Sequence, residues 1–173
     1  AEEAAAAGDA DSLRQILADD PTNLDAALAF AKASKHADTA RLGVAGFCYG
    51  GRITWLHASQ GLPGLKAGVA WYGKLVGQHT ELTPAHPLGL VNALKAPVLG
   101  LYGAADTGIP VTQVDLMKQA LTSASDNRAA QASQFVVYPD APHAFHADYR
   151  ASYRPGPAQD GWQRALGWFK QNL

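Results

Sequence analysis

Long hydrophobic runs, paired cysteines and an excess of charge of either sign are all missing from this 173-residue sequence. Its single cysteine cannot form an internal disulfide, which is typical of a reducing compartment and predicts a cytoplasmic location. No apolar stretch reaches the roughly 18 residues that a membrane-spanning helix needs, so we expect no membrane partner. The net charge is −1, so we also expect no nucleic-acid partner.

The first residues lack the features of an export signal. The segment AEEAAAAGDADSLRQILADD has no basic stretch followed by an apolar one. There is also no initiator methionine, because the only methionine is Met117. We therefore expect the chain to be part of a longer protein.

The sequence does contain enough apolar material for one globular domain over residues 1–173, since 47% of its residues are hydrophobic. Short apolar runs alternate with segments of helical periodicity, which predicts an α/β fold with a mostly parallel sheet between two helix layers. We predict strands at 41–47, 65–73, 96–103 and 134–139, and helices at 22–36, 50–60, 111–124 and 161–173. In the last helix, Trp162, Leu166 and Phe169 are predicted to face the core.

A glycine-flanked cysteine stands where the first strand meets a helix. Gly46-Phe47-Cys48-Tyr49-Gly50 matches the nucleophile-elbow pattern G-x-S-x-G, with cysteine in place of serine. Small neighbours let the backbone close a tight turn, and the start of a helix favours a thiolate. The pattern predicts a nucleophile at Cys48; a buried, unreactive cysteine is the alternative.

An enzyme with a nucleophile elbow needs an acid and then a base later in the chain. Asp106 follows the predicted strand at 96–103, and His143 follows the strand at 134–139. We predict that they orient and activate Cys48. The alternatives are that Asp106 only caps a turn, that His143 is a solvated surface residue, and that Asp140 is the acid.

Three segments in this order, GFCYGGR, YGAADTGIP and YPDAPHAFHADYR, resemble the dienelactone hydrolase family of α/β hydrolases. The resemblance covers residues 20–173. It implies an α/β-hydrolase fold and hydrolysis of carboxymethylenebutenolides or related cyclic enol esters through a thioester. It implies a small ester or lactone as the partner and no cofactor, and we expect no metal because the histidines lack metal-ligand spacing.

By position in those segments, the resemblance makes Cys48 the nucleophile, Asp106 the orienting carboxylate and His143 the base. The backbone N–H of Tyr49 would contribute to the oxyanion hole. Tyr72 ends the second strand on the side where α/β sheets bind ligands, so it is a substrate-binding candidate, with a core aromatic as the alternative.

Two features depart from the family pattern. The family has several strands before the elbow strand, whereas only one predicted helix precedes it here, so we expect the N-terminal strands and the second oxyanion donor to be missing. Family members often bind the substrate carboxylate through an arginine four residues after the histidine. That position is Ala147 here, which leaves Arg150 as the candidate.

The missing strands would leave the strand at 41–47 as an apolar sheet edge, and such edges recruit other chains. We expect a complementary N-terminal fragment or self-association at this edge. Two alternative functions stay open: a broad carboxylesterase or thioesterase of the same fold, and an inactive fragment or binding module. Arg52, near the elbow, is expected either to meet an anion or to pair with a surface acid.

Overall fold

A computed structural model of the chain describes residues 21–34, 37–81 and 83–173. All four predicted strands are present, and helices alternate with them as expected for an α/β fold. The described strands are β1 (Leu42–Phe47), β2 (Leu65–Trp71), β3 (Val98–Gly103) and β4 (Gln134–Tyr138). The described helices are α1 (Pro21–Ser34), α2 (Tyr49–Gln60), α3 (Val111–Ser123), α4 (Arg128–Ala132) and α5 (Pro155–Asn172), with a 3-10 helix at Pro87–Ala93. None of these helices is both long enough and apolar enough to cross a membrane.

The four strands form one sheet in the order β1-β2-β3-β4, and every pairing is parallel. All of β3 and most of β2 are buried, as expected for parallel strands covered by helices on both faces. One face packs against α2 and α3 through a cluster that includes Trp55 and Met117. The other packs against α5 through a cluster that includes Trp71 and Trp168. The predicted three-layer arrangement is confirmed.

The core-facing stripe of α5 differs from the predicted one. Trp162 and Leu166 are 47% and 48% exposed, so their assignment to the core was wrong, and Phe169 is only partly buried. The helix passes so close to Trp71 that a Cβ atom at Gly161 would lie 2.7 Å from the indole ring. A residue without a side chain is therefore needed at position 161 of the inner face. The buried residues of α5 are Ala158, Gly161, Ala165 and Trp168.

The outer edge of β1 is open within the described part of the chain. Only β2 pairs with β1, and alternate residues of β1 are exposed. Phe47, at its end, is 40% exposed. The predicted sheet edge is thus confirmed for the described residues, whereas a fragment or second copy that covers it stays a prediction.

Two glycines of α5 provide a matched test of this packing. Alanine at Gly161 must displace the buried Trp71 ring, and such overpacking costs about 1–3 kcal/mol of unfolding free energy. Alanine at Gly167 meets no atom within 4 Å and should add about 0.5–1 kcal/mol through helix propensity. Urea unfolding of Gly161→Ala and Gly167→Ala should give shifts of opposite sign. Equal stabilisation by both would contradict the close approach.

Candidate active site

Cys48 occupies a strained turn between β1 and α2. Its φ is 55° and its ψ is −114°, a conformation that non-glycine residues rarely adopt. The turn closes so tightly that a Cβ atom at Gly46 would collide with the Gly50 carbonyl. The Cys48 N–H donates to the carbonyl of Trp71 on β2 at 2.9 Å. The predicted strand-elbow-helix geometry is present, and it holds the thiol above the carboxyl ends of the strands.

The side chains of Cys48, His143 and Asp106 converge, as predicted from their positions after successive strands. His143 Nε2 lies 3.1 Å from Cys48 Sγ, and His143 Nδ1 lies 2.7 Å from Asp106 Oδ2. The imidazole is 38% exposed, whereas the carboxylate is 1% exposed. A ligand could therefore reach the sulfur and the outer side of the ring, while the carboxylate is shielded from water.

Asp106 also organises its own loop. Its Oδ1 accepts the backbone N–H groups of Gly108 at 2.8 Å and Ile109 at 3.1 Å. The sequence left two interpretations of Asp106, a turn cap or a partner of His143. In the structure Asp106 makes both sets of contacts. Asp140, the rival acid, is exposed and forms no hydrogen bond or ion pair with His143 in the described structure.

Tyr72 packs directly against the predicted base. Its ring meets His143 edge-on with centroids 5.1 Å apart, and its backbone has a φ of 37°. Burial raises the pKa of its hydroxyl, and the charge of a Cys48 thiolate raises that pKa further. The Tyr72 hydroxyl is therefore neutral, and Tyr72 lines the same cavity as Cys48. Its role in substrate binding stays a prediction.

A cavity of about 730 Å³, here called the cysteine cavity, opens beside Cys48. The predicted site residues Tyr49, Tyr72, Asp106 and His143 line it, as does Arg52. Arg52 is 3% exposed and so is buried in this wall, and its pairing with an acid stays a prediction. The irregular segment after β2 supplies a wall that sequence periodicity did not reveal. Its lining residues are Lys74, Gln78, Thr80, Thr83 and His86.

The position of Arg150 does not indicate a contact with a substrate bound at Cys48. Arg150 is exposed, lies 5.6 Å above the ring of Tyr149, and does not line the cysteine cavity. Its role stays a prediction. Tyr49 is the first residue of α2, at the end where helix amide groups can meet an anion. The oxyanion role of its N–H also stays a prediction.

A second concave surface shares Tyr72 with the cysteine cavity. This aromatic cleft, of about 630 Å³, is lined by Phe47, His146 and Trp162 among others. The His146 ring lies 4.4 Å from that of Trp71, and burial lowers the pKa of His146, partly offset by the nearby Asp148 carboxylate. His146 is thus part of an aromatic cluster and not of the contacts around Cys48.

A family model, a curated relative and a solved structure all indicate the same family. The model of the Dienelactone hydrolase family matches residues 3–173. A provisionally named carboxymethylenebutenolidase of Methylorubrum extorquens is 59% identical over 150 residues, which are 87% of this chain and 50% of that protein. A provisionally named dienelactone hydrolase of Klebsiella pneumoniae has a crystal structure that matches with a TM-score of 0.78 and 52% identity, over 86% of this chain and 59% of that one. The chain spans about half the length of the curated relatives it matches.

The contact between Asp106 and His143 predicts how fast Cys48 reacts. In Asp106→Asn, the amide NH₂ group would face Nδ1 and reverse the tautomer, so Nε2 could no longer accept the thiol proton. Iodoacetamide labelling of Cys48 at neutral pH should slow about tenfold or more. Asp140→Asn is the matched control and should label at the wild-type rate. Equal labelling of the two variants would contradict the pairing.

Proposed function

The chain belongs to the dienelactone hydrolase family, and we propose that it carries the catalytic centre of a hydrolase that opens lactones or enol esters. The observation behind this proposal is the continuous contact from Cys48 Sγ through His143 to Asp106, at 3.1 and 2.7 Å. Nucleophile, base and orienting acid in hydrogen-bond reach are what acyl transfer requires.

In the first proposed step, His143 donates its Nδ1–H to Asp106, which leaves the lone pair of Nε2 facing the thiol. Nε2 takes the proton from Cys48, and the thiolate attacks the carbonyl carbon of the ester or lactone. The ester C–O bond breaks, a thioester forms on Cys48, and the leaving oxygen takes the proton from Nε2. When the substrate is a lactone, its ring opens in this step, and the leaving oxygen stays attached to the acyl group that is bound to Cys48.

In the second proposed step, His143 acts on water. Nε2 removes a proton as the water oxygen attacks the thioester carbon, and the C–S bond breaks. The released acid leaves, and the sulfur recovers its proton from Nε2. In both steps the charge on the carbonyl oxygen would be stabilised by the backbone N–H of Tyr49, at the N-terminal end of α2.

The choice of sulfur as nucleophile supports a particular substrate class. A thiolate is itself a good leaving group, so the tetrahedral intermediate goes forward when the substrate's leaving group is also good. An enolate meets that condition and an amide nitrogen does not. Together with the relatives' name, this favours a carboxymethylenebutenolide-type lactone over a peptide. A broad carboxylesterase or thioesterase would use the same residues.

Hydrolysis assays on Cys48→Ala test the proposal. The wild-type chain should hydrolyse a dienelactone with a higher kcat/KM than p-nitrophenyl acetate, and Cys48→Ala should lose about 10³-fold or more on both. A higher kcat/KM on the aryl ester would favour the broad esterase. Activity that survives in Cys48→Ala would falsify the nucleophile assignment. A folded wild-type chain that is inert on both substrates would favour the binding module.

A further inference from the structure

Arg52 is a buried cation in the wall of the cysteine cavity. It lies in the first turn of α2, four residues after Cys48, and is 3% exposed. Its Nη2 donates to the carbonyl oxygen of Ala85 at 2.6 Å, and its guanidinium lies 5.9 Å from the centroid of the Tyr49 ring. The side chain thus joins the helix that carries the elbow to a segment 33 residues further along the chain.

That segment, here called the wall loop, comprises residues 73–81 and 83–86 and has no regular secondary structure. It is organised by bonds within itself. His86 Nε2 lies 2.8 Å from the Gln78 carbonyl oxygen, and the hydroxyls of Thr80 and Thr83 are 2.8 Å apart. These four residues also line the cysteine cavity. The wall loop therefore holds its own shape, and it lines the cavity together with Tyr49 and Arg52 of α2.

We propose that Arg52 is a positioning residue that holds the wall loop against α2 and so sets how large an acyl group or lactone ring can reach Cys48. The bond to Ala85 connects the two sides directly, and it joins a charged donor to a partly buried carbonyl, a combination stronger than a neutral hydrogen bond. The guanidinium is planar and carries five N–H donors, so it can contact Tyr49 and Ala85 together. A methionine would fill the same space without any donor.

The inference that Arg52 limits the size of the substrate rests on the proposed hydrolase function, but the width of the cavity can be measured without turnover. Cys48 of the folded chain is alkylated in parallel with iodoacetamide, a small reagent, and with N-(1-pyrenyl)maleimide, a bulky one. The ratio of the bulky to the small rate reports the width of the cavity. Hydrogen exchange of wall-loop peptides reports how firmly the loop is held.

In Arg52→Met, we expect the rate ratio to rise about fivefold and wall-loop exchange to accelerate about tenfold, because the loop loses a charged donor. Arg41→Met is the matched control. Arg41 is 62% exposed, pairs with Asp38 on the surface and lies away from the cysteine cavity, so both measurements should stay at wild-type values. Arg52→Lys keeps the charge but loses the planar fork and should give intermediate values.

Wild-type rate ratios and exchange rates in folded Arg52→Met would overturn the proposal. If Arg52→Met does not fold, Arg52→Lys decides, and wild-type values there overturn it equally. A widened cavity in a chain that hydrolyses neither test ester would support the role of Arg52 and contradict the hydrolase function. Hydrolysis of the test esters by the wild-type chain, together with a wild-type rate ratio in Arg52→Met, would support the hydrolase function and contradict the role of Arg52.

Discussion

The strained backbone at Cys48 is the constraint on which the arrangement of the site depends. A residue held at such a φ costs about 1–3 kcal/mol and persists only when its surroundings leave no alternative. Here the approach of Gly46 to Gly50 allows the turn to close, and the bond from Cys48 N–H to the Trp71 carbonyl extends the β1-β2 pairing up to the nucleophile itself. The sulfur therefore projects from a rigid sheet.

The remaining groups reach the sulfur because the sheet is parallel. Asp106 follows β3 and His143 follows β4, and the carboxyl ends of parallel strands lie at one edge of the sheet. The buried Asp106 is satisfied by two backbone N–H groups and the imidazole, so the acid is positioned by its own loop before any ligand arrives. The other side of the site is its wall, where Arg52 donates to the Ala85 carbonyl.

The elbow, the four strands and the order of acid and base could be predicted because each follows from local chemistry: glycine spacing, apolar runs and chain order. The inner face of α5 could not, because helical periodicity favours the large residues Trp162 and Leu166 and carries no information about the close approach of Trp71 to Gly161. The burial of Arg52 was missed for a related reason. Its acceptor lies in an irregular segment, where no periodic pattern indicates a contact.

The central claim is that Cys48 forms a covalent bond to the acyl group of the substrate, and the most direct test is to trap that bond. The chain is mixed with p-nitrophenyl acetate, quenched in acid within the first turnover and digested, and the peptide that contains Cys48 is weighed. The account predicts a transient acetyl group on Cys48 that accumulates at most once per chain and disappears as acetate is released. Ester hydrolysis without any acetyl on Cys48, or with stable acetylation of another residue instead, would contradict it.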